Sequence, residues 1–167
     1  MSGMFKAGDR IVYPMHGAGI VKAIEEKEIF NVTQWYYLLH IVSENMEILI
    51  PVDKSETIGL REVVSEKEIA EMLELLGEPA DVMSTSWNRR YQDNMEILKS
   101  GQLSDVAYVV KNLTLRDREK GLSSGEKKML TTARNFIVSE MVLVCQMTKE
   151  EALNKIEDAV CNEKSEN

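Results

Sequence analysis

The chain has 167 residues, is 44% apolar and 29% charged, and carries a net charge of −8. These values describe a soluble globular protein of one domain or two small ones, and they exclude a helical membrane protein, because no apolar run approaches the roughly 20 residues a bilayer requires. Its positive charge is segregated: residues 87–134 hold ten Lys/Arg against six Asp/Glu, so one face can attract polyanions over a Debye length of about 8–10 Å although the whole molecule is acidic.

In chain order, the segment from Met4 to Asp9 lacks the apolar core of a secretory signal, and a cytoplasmic location is expected. Arg10–Tyr13, Gly19–Ile24, Gln34–Val42 and Met46–Pro51 are rich in β-branched and aromatic residues and are separated by Pro14, Gly17, Asn31 and a Ser43-Glu44-Asn45 turn. So many short strands in about sixty residues predict a small, strongly bent barrel, with Gly8, Gly17 and Gly19 at its corners. Pro51 suits the end or edge of a strand, and an open edge here could accept a partner's strand; a closed barrel containing this strand is equally compatible with the residues.

From Ser65 the apolar period becomes 3.6. Ser65 and Glu68 form a capping box ahead of Ile69, Met72, Leu73 and Leu76, and Gly77 with Pro79 ends that helix. Ser84 or Ser86 opens a second helix, with Trp87, Tyr91, Met95 and Leu98 as its apolar face. A third runs from Ser104 to Gly121. The Ser123–Glu126 box opens a fourth, through Met129, Ile137, Met141 and Val144, and the Thr148–Glu151 box opens a fifth. The sequence thus predicts an α+β protein of two domains: a barrel over residues 4–62, an all-α bundle of about five helices over 65–161, and a frayed tail over 162–167.

Catalytic chemistry finds little support. His16 lies in a Pro-Met-His-Gly-Ala-Gly turn, where a bond to a backbone carbonyl is expected, and an enzyme using it ranks last among the readings. Gly17-Ala18-Gly19 lacks the Lys-Ser/Thr and following helix of a phosphate loop. Glu25, Glu26 and Glu28 read as a solvated strand. Cys145 and Cys161 have no ligand-spaced neighbours, so neither a zinc site nor a disulfide is expected. No cofactor is expected.

Trp87-Asn88-Arg89-Arg90-Tyr91 places an indole and two guanidinium groups at a helix start, where phosphate oxygens would also meet unsatisfied N–H groups. The spacing of Trp87 with Tyr91, Met95 and Leu98 favours a place in the core. Arg116, Arg118 and Lys120 close one helix, where they either complement its dipole or contact an anion, the two readings being equally compatible with the residues. Lys127 and Lys128, near the start of the next, gain nothing there and point to anion contacts.

Phe5-Lys6-Ala7-Gly8-Asp9-Arg10-Ile11-Val12-Tyr13-Pro14-Met15-His16-Gly17-Ala18-Gly19, followed by Ile50-Pro51-Val52-Asp53 and Gly59-Leu60-Arg61, resembles the RNA-polymerase-interacting domain of the CarD/CdnL family. Trp87–Tyr91 and Arg116–Leu130 resemble that family's helical DNA-binding domain, so the resemblance covers nearly the whole chain. It implies a monomeric bacterial regulator of transcription initiation whose Tudor-like barrel docks on the polymerase β subunit through Met46, Glu47, Ile48, Leu49, Ile50 and Pro51. It also implies that Trp87 wedges into the minor groove at the upstream edge of the bubble, stabilising the open complex. Arg90, Arg116 and Lys127 would grip phosphates, and Arg89, Arg118 and Lys128 complete the expected DNA-facing set. Gln92 and Leu49 stand where some relatives carry basic residues. The alternative is a protein-interaction adaptor that never touches DNA, with Trp87 in its core.

Overall fold

The computed structural model describes residues 4–161; the tail expected over 162–167 lies outside them. Five antiparallel strands form one sheet: β1 (Arg10–Tyr13), β2 (Gly17–Ile29), β3 (Val32–Ile41), β4 (Met46–Pro51) and β5 (Arg61–Glu62), in the order β4-β3-β2-β1-β5. The long β2–β3 hairpin turns on Phe30 and Asn31, both in the left-handed region at φ 52° and 65°, the geometry that matches the strands' right-handed twist. A bulge at Lys22 bends β2. Gly19 is required where β2 crosses β3, because a Cβ there would stand 2.4 Å from the His40 carbonyl oxygen.

The bent sheet encloses Ile11, Val21, Tyr37, Leu39, Ile41 and Ile50, and the Tyr37 hydroxyl accepts the Phe5 N–H at 3.0 Å. Barrel closure is not seen among the described residues. β4 and β5 end the order without a ladder between them, and the chain crosses from one to the other through a 3-10 turn (Val52–Lys54) and the single-turn helix α1 (Ser55–Ile58). Two-residue β5, which pairs Arg61 with Val12 and Glu62 with Ile11, is too short to leave a periodic signal.

Five longer helices follow: α2 (Glu66–Leu76), α3 (Trp87–Leu98), α4 (Leu103–Glu119), α5 (Ser124–Cys145) and α6 (Lys149–Cys161). With α1 they make six among the described residues, one more than the five expected. Their starts are set by side-chain caps: Ser65 accepts from the Glu68 N–H, Ser86 from Arg89, and Ser123 from Glu126. Thr148 and Glu151 exchange both bonds of a capping box, at 2.8 and 3.0 Å. Only α4 departs, starting at Leu103 behind Gln102 rather than at Ser104.

Val12 and Ala18 of the sheet belong to the same buried cluster as Ile137, Val138 and Met141 of α5. Polar contacts reinforce this seam. The Ser139 hydroxyl accepts the Ala18 N–H at 2.8 Å and donates to the Phe136 carbonyl. Gly17, at φ 123°, passes so close that a Cβ would lie 2.7 Å from Ser139 Oγ. Fully buried Glu140 of α5 binds Arg61 of β5 through two bonds, at 2.8 and 2.9 Å, and also accepts the Val64 N–H. The sheet and the helices are therefore parts of one packed body.

Candidate functional site

The N-termini of α3 and α5 converge beside the C-terminus of α4. Trp87, the first residue of α3, is 44% exposed. Its Nε1–H donates to Ser123 Oγ at 2.6 Å, and its ring stacks on Tyr91 with centroids 5.5 Å apart at 27°. Gly125, on the first turn of α5, leaves room for both rings: a Cβ there would lie 3.6–3.7 Å from them. The core position that spacing favoured for Trp87 is not observed. The buried row of α3 is Arg90, Asn94 and Leu98; beside it Trp87 is exposed and Tyr91 and Met95 are half-buried.

The reverse correction applies to Arg90, expected as a phosphate contact. It is 4% exposed, and its Nε and second terminal nitrogen bind Glu126 at 2.6 and 3.3 Å. Its remaining nitrogen donates to the Ser84 carbonyl at 3.1 Å. Each of its three nitrogens thus donates inside the protein, so it shapes the tip rather than reaching outward. Glu126 also accepts the Ser123 N–H and caps α5 reciprocally. Burial pushes its carboxyl up, but the Arg90 bond, the Ser123 N–H and the Arg90 charge together outweigh that and hold it below the ordinary 4.5.

A depressed carboxylate contributes stability that is present above its unfolded pKa and lost as pH falls through the folded one. The tip is therefore expected to loosen in acid, beginning as pH drops through about 4.5. Far-UV circular dichroism and Trp fluorescence followed from pH 7 downward check this, and Glu126→Gln should remove that part of the acid dependence.

The other expected cations are distributed over α3, the end of α4 and the start of α5. Arg89 is exposed and pairs with Asp93 at 3.1 Å across one helical turn. Lys127 and Lys128 are exposed on the first turns of α5. Arg118 is exposed and lies 3.6 Å from Glu157. Arg116 is half-buried, with a buried Nε that has no protein partner. Ser123 and Glu126, which hold the indole and Arg90, were legible from sequence only as a helix cap. Their reach to α3, 36 residues back, left no local signal.

At the far side of the sheet, β4 is an edge strand, and among the described residues nothing pairs with its outer side. Met46, Glu47 and Leu49 are exposed, Ile48 and Pro51 half-buried and Ile50 buried. Glu47 binds Lys22 at 3.0 Å across β3.

The remaining titratable groups do not converge. The His16 ring nitrogen donates to the Pro14 carbonyl at 3.2 Å while the ring lies on Tyr13. Half-buried Cys145 has its thiol pushed up by burial and by the Glu66 charge, against the pull of Lys155. Among the described residues no His/Cys/Asp/Glu group could hold a metal ion, and no helix is long and apolar enough to cross a membrane.

An open-edged sheet is thus fused to a helical tip that leaves an indole partly exposed. A family model described as the CarD-like/TRCF RID domain matches residues 5–64, and one described as the CarD C-terminal domain matches residues 71–157. The chain belongs to the CarD/CdnL family of transcription regulators. It is 36% identical over 148 residues to YdeB of Bacillus subtilis (strain 168), which carries a provisional transcription-factor designation; the match covers 89% of this chain and 97% of that protein. The solved structure described as "CdnLNt from Myxoccoccus xanthus" is 42% identical, covers 40% of this chain and 93% of that one, and superposes with a TM-score of 0.32.

Proposed function

We propose that this regulator acts at transcription initiation by holding RNA polymerase with one half and promoter DNA with the other. The division of labour follows residues 4–62 and 65–161. The β4 edge, Met46–Pro51, offers unpaired backbone groups and exposed Met46 and Leu49 to a strand of the polymerase β subunit. The helical tip meets the upstream edge of the melted bubble. Arg89, Arg118, Lys127 and Lys128 face phosphates, with Arg116 contributing from its half-buried position, and Trp87 enters as a wedge.

The observation that carries this reading is the half-exposed indole at a helix tip. The indole stands at the start of a helix with Arg89 two residues on, and a π-face stacks on any base. A few phosphate contacts on an acidic protein bind free DNA weakly, at about 10⁻⁴–10⁻⁶ M. Anchoring on polymerase removes that weakness by raising the local concentration to about millimolar. The wedge works only through its preference for distorted over closed duplex.

The test measures the lifetime of open complexes formed by RNA polymerase holoenzyme on a promoter template after a competitor challenge. Trp87→Ala is expected to remove about 1–3 kcal/mol of stabilisation, a roughly 5- to 150-fold loss of the protein's effect on lifetime. An effect equal to that of the unaltered protein would overturn the reading.

A further inference from the structure

We infer that Ser123 is the positioning residue for Trp87, and that by taking the indole N–H it makes the tryptophan a contact without a hydrogen-bond donor. The inference rests on the wedge reading above and specifies how that wedge is held and what it can recognise.

Tryptophan has one polar hydrogen and no acceptor. Here that hydrogen already lies 2.6 Å from Ser123 Oγ. The hydroxyl is itself fully engaged, since it also accepts the Glu126 N–H and donates to Glu126 Oε1, both at 3.2 Å. Arg90 fixes the carboxylate at 2.6 Å and is fixed in turn on the Ser84 carbonyl. Tyr91 supports one face of the indole. The ring is thus oriented by a chain of bonds running from the segment before α3 to the first turn of α5.

Two consequences follow. The wedge is ordered before DNA arrives, so little side-chain freedom remains to be lost on contact. With its donor occupied, Trp87 has nothing to offer the minor-groove acceptors that every base pair presents, and its contact depends on stacking, which every base permits. The stabilisation it provides should therefore be indifferent to which base pair it meets.

Ser123→Gly removes the hydroxyl at little cost to the helix start, because glycine is tolerated as an N-cap, whereas Ser123→Thr retains the acceptor. Solvent exchange of the Trp87 indole N–H, followed by ¹H–¹⁵N NMR, should be slow in the unaltered protein. It should accelerate at least about tenfold in Ser123→Gly and slow again in Ser123→Thr. The effect on open-complex lifetime should fall about three- to tenfold in Ser123→Gly and recover in Ser123→Thr. An indole exchange rate unchanged in Ser123→Gly overturns the inference, as does accelerated exchange with an unaltered lifetime effect. If Ser123→Gly does not fold, the unaltered protein still decides. The Trp87 indole N–H should exchange slowly with solvent there, and exchange at the rate of a free indole overturns the inference. Failure of the wedge reading would look different, since Trp87→Ala would then leave the lifetime effect intact while the exchange measurement still reported the Ser123 bond.

Discussion

Arg90→Ala is expected to destabilise the folded protein by about 3–5 kcal/mol, the usual consequence of removing one partner from a buried ion pair. Glu126 is 1% exposed, and without the guanidinium its charge has neither water nor a counter-ion. It must then remain uncompensated or take up a proton. A surface phosphate contact would behave in the opposite way, leaving stability within about 0.5 kcal/mol and weakening only DNA binding. Urea unfolding separates the two outcomes. Arg90→Met combined with Glu126→Leu should recover much of the loss, because replacing both members of a buried pair by apolar residues is often neutral. An unfolding midpoint unaltered by Arg90→Ala would show that the pair is not closed in solution.

Arg61→Ala carries a similar expected cost of about 3–5 kcal/mol, but on the seam between sheet and helices. Glu140 would lose both guanidinium bonds and keep only the Val64 N–H, and the Gly101 carbonyl would lose its 2.9 Å bond from Arg61 Nε. The bonds from Ala18 to Ser139 and from Arg10 to the Leu143 carbonyl and the Lys149–Glu44 ion pair would then bear the load. Unfolding followed by circular dichroism, which weights the helices, should separate from unfolding followed by fluorescence of Trp35 in a Trp87→Phe background, which reports on the sheet. Coincident transitions at an unchanged midpoint would contradict this account of the seam.

These two arginines also show what the sequence could and could not disclose. Helix starts were readable, because Ser65, Ser123 and Thr148 act on residues three positions away, and the apolar period placed α2, α5 and α6. On α3 the period misled. Its buried row contains Arg90 and Asn94, polar residues that no apolar pattern selects, so the apolar period points to the neighbouring row of Trp87, Tyr91 and Met95 and shares only Leu98 with the true inner face. The left-over polarity of the inner row is matched by Glu126 and Met83, contacts that exist only after folding. Arg61 finds Glu140 across 79 positions, a separation at which sequence carries no geometric signal. The cationic surroundings of the tip were legible as composition, and the edge position of β4 as one of two options left open by Pro51.

Because Val12 and Ala18 sit in the same buried cluster as α5, the chain behaves as a caliper rather than as two weights on a string. The strand edge and the indole are carried on one packed body. If the strand edge and the indole act as proposed, on polymerase and on promoter DNA, where each base pair advances the helix by about 3.4 Å, such a gauge would favour a fork at one spacing from the polymerase surface. It would gain less from forks displaced by a step in either direction, so that discrimination among promoters would follow from length.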